Sequence, residues 1–131
     1  MFLLDTDTLI YSLKGHHAVV ENFRIHAGAP KAISVITYGE LLYGANKSER
    51  IAQNLAKVQR LRELFPVIEV SCAIMETFGR IKADIGQKGL VVDDFDLIIG
   101  ATAIVFGYCV VTNNVRHFGR IPGLAVANWS E

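Results

Sequence analysis

Cysteine is scarce in this sequence, and the two present, Cys72 and Cys109, lie far apart with neither CxxC spacing nor histidine companions. That excludes a disulfide framework and a thiolate zinc site, and leaves both residues to be read as small buried apolar side chains in a reducing, cytoplasmic setting. Proline is nearly as rare, confined to positions 30, 66 and 122, and no Pro-, Gly- or Ser-rich tract marks a linker. One domain spanning 1–131 is therefore expected.

An excess of either charge is also missing, because thirteen Lys and Arg balance thirteen Asp and Glu. Net charge alone thus gives no sign of a nucleic-acid partner. No apolar run is long enough for a membrane. The longest uncharged stretch, Leu97 to Val111, is interrupted by Gly100, Thr102, Gly107 and Tyr108 and falls short of the roughly 18 residues a spanning helix needs. The opening MFLLDTD meets a carboxylate by position 5 without a basic region, so no export signal is expected.

What the chain does contain is an alternation of short apolar runs and helical periodicity. FLL before Asp5 reads as a strand buried on both faces, and Thr6 to Lys14 as a helix ending at Gly15. A helix over Val19 to His26, a strand over Ala32 to Ser34 and a helix carrying Glu40 follow. Ile51, Leu55, Val58, Leu61 and Leu64 recur at helical intervals within an amphipathic segment over about 48–64. Pro66 to Val70 predicts a strand, Cys72 to Gln87 a helix, and Asp94 to Phe106 a very apolar helix closed by Gly107. Strands YCVVT and Leu124 to Ala127 complete the pattern. Strands alternating with helices imply an α/β/α sandwich around a short, mainly parallel sheet.

In such sheets ligands collect where the carboxyl ends of strands meet loops and helix N-termini. Asp5 ends the first strand, Glu40 lies in the first turns after the second, Asp96 opens the apolar helix, and Thr112-Asn113-Asn114 follows the fourth strand. Carboxylates held together repel one another unless one is protonated or a cation binds among them, and an all-oxygen donor set selects Mg2+, with Mn2+ an acceptable substitute. Such a metal lowers the pKa of bound water and stabilises charge on a phosphate under attack, which is phosphodiester hydrolysis.

Competing structural readings apply to several of these acids. Asp7, Asp93 and Asp94 fit helix caps, with Asp94 also kept as a supporting site residue, and Thr37-Tyr38-Gly39-Glu40 has capping-box spacing. Asp5 and Asp96 are less readily explained by packing, since a carboxylate beside a buried strand or beside FDLII carries a burial cost. His16 and His17 read as turn residues, and His117 beside Phe118 as a packing residue.

LDTDTLI around Asp5, SVITYGELLYGA around Glu40, DDFDLIIGATA around Asp96 and VVTNNVRHFGRIPGLAVANW at the end occur in one order across essentially the whole chain. Together they resemble the PIN-domain ribonucleases, and among them the VapC-type toxins of VapBC toxin-antitoxin pairs. The resemblance implies Asp5 and Asp96 as principal magnesium ligands and Glu40 as the third acid, binding metal or orienting water. Thr112 is then placed to orient Asp5 or a water. Asn114 stands where many members have a fourth acid, which leaves one-metal and two-metal action both open. The implied activity is metal-dependent endoribonuclease cleavage leaving a 3′-hydroxyl and a 5′-phosphate. The implied partners are transfer or ribosomal RNA, a VapB-type antitoxin and a second copy of the chain.

Six of the thirteen acids, Asp5, Asp7, Glu40, Asp93, Asp94 and Asp96, fall near this candidate site, so a bound divalent ion would leave a basic remainder. No acid occurs between Asp96 and Glu131, and Arg116 and Arg120 in that segment are candidate RNA-backbone contacts or ordinary solvated side chains. Leu41, Leu42, Tyr43, Leu55 and Val58 supply either a partner surface or the domain's own core. Two further readings compete with this one. FLLDTDTLI fits an aspartate-nucleophile phosphatase, but no acidic motif follows Thr112, and the order excludes it. A catalytically weak RNA-binding or RNA-turnover module on the same fold is the alternative.

Overall fold

Leu3 and Leu4, Ala32 and Ile33, and Val110 and Val111 are adjacent pairs in which both residues are buried, as in strands covered on both faces. The computed structural model describes residues 1–131. Its elements in chain order are β1 (Phe2–Leu4), α1 (Thr6–Leu13), α2 (His17–Ile25), β2 (Lys31–Ser34), α3 (Val35–Asn46), α4 (Ile51–Leu64), β3 (Val67–Ile68), α5 (Cys72–Gln87), α6 (Asp94–Phe106), β4 (Cys109–Val111), α7 (Val115–Phe118) and β5 (Val126–Ala127). The strands form one sheet in the order β3-β2-β1-β4-β5, every pairing parallel, with Leu3 opposite both Ala32 and Val110.

Because successive strand residues point to opposite faces, each buried pair divides between two cores. Leu3, Ala32 and Val110 join Ile74, Ile81 and Ile85 of α5, the apolar residues of α6, and Phe118 of α7. Leu4, Ile33 and Val111 join Leu9, Val19, Leu41, Val58 and Leu61 from α1 to α4, together with Trp129. The result is the expected three-layer α/β/α sandwich, and no helix is long and apolar enough to cross a membrane.

Local signals account for the element ends. Ser34 caps α3 by accepting from Ile36 N, Ser71 caps α5 by accepting from Ile74 N, and Asp93 caps α6 by accepting from Phe95 N. Gly107 closes α6 at φ 71°, a conformation a side chain would strain. The outer strands are shorter than their apolar runs suggested, two residues each. A further helix, α7, occupies VRHF, where none was expected. Cys72 is exposed at the start of α5 rather than buried, and Cys109 is half-buried.

All the strands run in parallel, so the carboxyl ends of β1, β2 and β4 lie on one edge. Asp5 leaves β1 there, the cap of α3 leaves β2, and Thr112 leaves β4.

Candidate active site

Asp5 is buried, with 7% of its surface exposed. Its backbone N–H donates to Val111 O at 2.9 Å, which fastens the end of β1 to β4. One carboxylate oxygen, Oδ1, caps α1 by accepting from Thr6 N at 2.9 Å, and the other, Oδ2, accepts from the Thr112 hydroxyl at 2.8 Å. Burial, then the negative charge of Asp7 and more weakly that of Asp96, pushes the Asp5 carboxyl up to about 7, against the two hydrogen bonds that favour its anion.

Asp96 sits in the first turn of α6 and accepts from Asn114 Nδ2 at 3.3 Å. Burial, followed by the charges of Asp93, Glu40 and Asp7, raises it to about 6. Glu40 reaches the same region from the middle of α3, where Thr6 Oγ1 donates to its Oε1 at 2.8 Å. The capping-box reading of Glu40 therefore falls, because α3 begins at Val35 and Ser34 is its cap. Thr112 and Asn114 hold Asp5 and Asp96 respectively, and Asn114 N in turn donates to Thr112 Oγ1 at 2.9 Å.

Asp7 requires a correction of the opposite kind. It does not cap α1, since Asp5 does so; its carboxylate accepts instead from Asn113 N at 3.2 Å, and its other oxygen lies 3.3 Å from Thr8 Oγ1. Burial raises its carboxyl as well. Asp94, expected to support the site, is engaged in an exposed ion pair with Lys82 at 2.8 Å. Arg120 donates to Val91 O at 2.6 Å and so straps the loop before α6, whereas Arg116 is exposed on α7. Thr6 and Thr8 are the polar contributors that reading the sequence missed. Both fall in the first turn after Asp5, where Thr8 Oγ1 donates to Val111 O at 3.1 Å.

The donor set suits a hard divalent ion, since the acids are driven toward protonation by burial and, for Asp5 and Asp96, then by neighbouring negative charge, and include no sulfur or imidazole. No three His, Cys, Asp or Glu side chains are gathered tightly enough to enclose an ion by themselves. Magnesium does not require such a cage, because it usually keeps several waters and takes only one or two carboxylates. Asp5 and Asp96, with Glu40 across from Asp96, are the residues that could hold it.

Beside Glu40 a groove of about 410 Å³ runs between α1, α3 and α4, lined by Ile10, Leu13, Leu41, Gly44 and Val58 among others. The apolar residues expected to serve either partner or core divide between those roles. Leu41 and Val58 are buried core, Leu42 and Leu55 are half-buried, and Tyr43 is 67% exposed beneath Lys47.

A family model described as the PIN domain matches residues 2–124. The chain is 36% identical over 130 residues to a tRNA(fMet)-specific endonuclease VapC of Shigella flexneri, covering 98% of each. It is 32% identical over 133 residues to ribonuclease VapC2 of Rickettsia felis, covering 100% of this chain and 99% of the relative. Among solved structures, a chain of VapBC2 from Rickettsia felis bound to a promoter DNA fragment superposes with TM-score 0.90, 32% identity and 98% coverage of both chains. A chain of DNA-bound VapBC from Salmonella typhimurium gives TM-score 0.90 at 36% identity, covering 98% of this chain and 97% of that one. With its fold, its acidic sheet edge and these full-length likenesses in agreement, the chain belongs to the PIN-domain family, in its VapC branch.

Proposed function

We propose that this protein is the toxin of a toxin-antitoxin pair and a magnesium-dependent endoribonuclease that hydrolyses RNA phosphodiester bonds. The observation that carries the reading is the convergence of Asp5, Asp96 and Glu40 on one sheet edge, with Asp5 and Asp96 each oriented by a hydrogen bond from the segment after β4. Full-length relatives named as ribonuclease and endonuclease support it.

In this reading Asp5, Asp96 and Glu40 hold the ion, and Thr112 and Asn114 fix the carboxylates that face it. A bound magnesium or manganese ion supplies a lowered pKa for water and countercharge for the phosphate. The residues around it supply position. Thr112 favours the anion of Asp5 against its burial, Asn114 does the same for Asp96, and Thr6 orients Glu40. Asn114 adds no charge of its own, which favours action with one tightly held ion.

The substrate proposed is structured RNA, with transfer RNA favoured by the name of the Shigella flexneri relative. The protein partner proposed is a VapB-type antitoxin, consistent with the solved VapBC complexes, seated in the groove beside Glu40. A homodimer and a cytoplasmic location complete the reading.

The test uses purified antitoxin-free protein and total cellular RNA. Cleavage that requires Mg2+, stops with EDTA and disappears in both Asp5→Asn and Asp96→Asn supports the assignment. Undiminished cleavage by both variants overturns it. RNA binding without cleavage under all metal conditions selects the alternative of a catalytically weak RNA-binding or RNA-turnover module.

A further inference from the structure

Two carboxylates of the site are oriented by one short turn, residues 112–114. Thr112 reaches Asp5 and Asn114 reaches Asp96, so the turn sets how those two groups face one another. The β-ladder holds the turn only at its beginning, where Thr112 N donates to Ala127 O at 2.9 Å. Asn114 N is satisfied locally by Thr112 Oγ1. Between them the N–H of Asn113 lies past the end of the ladder, and its acceptor is Asp7 Oδ2 at 3.2 Å.

Asp7 is itself firmly placed. It sits in the first turn of α1, two residues beyond Asp5, and α1 is fixed there by the Asp5 cap and by Thr8 Oγ1 on Val111 O. The same helical turn therefore carries Asp5 and the anchor for the opposing segment. A carboxylate accepting a backbone N–H makes a charge-assisted bond, stronger than a neutral one.

On the reading of the site given above, we infer that Asp7 is a positioning residue for RNA cleavage: it latches the 112–114 turn to α1, so that Thr112 and Asn114 present Asp5 and Asp96 in fixed relation. It touches neither substrate nor reacting atoms in this role. Its loss loosens the turn and lowers kcat while leaving the RNA-binding surface intact.

The experiment compares the full chain with Asp7→Ala and Asp7→Asn. Amide hydrogen exchange is measured at Asn113 in metal-free protein, together with kcat and KM for RNA and the affinity for Mn2+. The expected result for Asp7→Ala is faster exchange at Asn113, weaker Mn2+ binding and a kcat loss of roughly 10- to 100-fold with KM little changed. Asp7→Asn, which keeps a side-chain oxygen for the Asn113 N–H, restores the protection and most of the lost kcat. Exchange at Asn113 in Asp7→Ala equal to that of the unaltered protein overturns the latch, as does a loss expressed wholly in KM. Failure of the unaltered protein to cleave RNA overturns the nuclease reading instead, and the exchange and Mn2+ measurements still judge the latch.

Discussion

The Thr112 hydroxyl donates to Asp5 Oδ2 at 2.8 Å, across 107 positions of sequence, and joins the carboxyl end of β4 to that of β1. Both residues are buried, so the bond is made where water cannot replace it. Thr112 Oγ1 in turn accepts from Asn114 N. Thr112→Val keeps the shape and removes both bonds, which should cost about 1–3 kcal/mol of stability and push the Asp5 carboxyl further up. Urea unfolding at pH 8 and a carboxyl NMR titration check the two effects. An Asp5 titration unchanged in the variant overturns the assignment of Thr112 as the group that favours the anion.

The metal-free protein should lose stability as pH rises through neutrality. Asp5 titrates near 7 in the fold, against 3.8 for an unperturbed aspartate, so between these values the folded state binds the proton more tightly. Its stabilising contribution is complete below the lower value and gone above the higher, and Asp96, raised to about 6, acts in the same direction. Across that window the two together are worth on the order of a few kcal/mol. In EDTA, Tm should therefore fall from pH 5 to pH 8. Asp5→Asn, which retains an oxygen for the Thr6 cap, should flatten the fall and be more stable than the parent at pH 8. Added Mg2+ should raise the parent's Tm more at pH 8 than at pH 5. A metal-free Tm that is level or rising across that range contradicts the burial and mutual repulsion of the acids at this edge.

The parts of the fold legible in the sequence are those whose signal is local and repeated. FLL and CVV announce strands because both residues of Leu3-Leu4 and of Val110-Val111 are apolar, and in the structure each pair faces two cores. The helix over 72–87 is readable because Ile74, Ile81 and Ile85 fall on one stripe. Glu40 was harder to place. Thr37-Tyr38-Gly39-Glu40 has the spacing of a capping box but lies inside α3, whose cap is Ser34, and spacing alone does not tell a helix start from a helix interior. Asp7 resembles a cap in the sequence because it is an acid in a first turn, whereas its acceptor role depends on Asn113, 106 positions away. VRHF is too short to show periodicity; what makes it a helix is the burial of Phe118, which a tetrapeptide does not reveal.

Phe118 is completely buried in the core beneath α5 and α6, and it anchors α7 immediately after the turn that orients Asp5 and Asp96. Phe118→Ala should cost about 3–5 kcal/mol, with Phe118→Leu losing substantially less. Because the cavity opens directly behind the turn, cleavage by Phe118→Ala at a temperature where it remains folded should fall more than that of an equally destabilised variant away from the site, such as Leu61→Ala in the opposite core. Denaturant midpoints paired with cleavage rates test this, and equal losses in both variants refute a special role for α7 docking.

Arg116 and Arg120 were indistinguishable as sequence, but the structure gives them different work. Arg116 is exposed on α7 and free to meet a phosphate, whereas Arg120 is bound to Val91 O at 2.6 Å in the loop that leads to Asp93 and α6. A phosphate contact contributes counterion release, so Arg116→Ala should weaken RNA binding, reduce the salt-dependence slope by about 1 and leave Tm unchanged. Arg120→Ala removes a charge-assisted bond to a backbone carbonyl and frees the loop that carries the α6 cap. It should lower Tm and kcat together, with little change in the salt slope. Binding titrations from 50 to 200 mM salt, roughly the range over which such contacts are resolved, distinguish the two, and a slope that changes with Arg120 but not with Arg116 reverses the assignment.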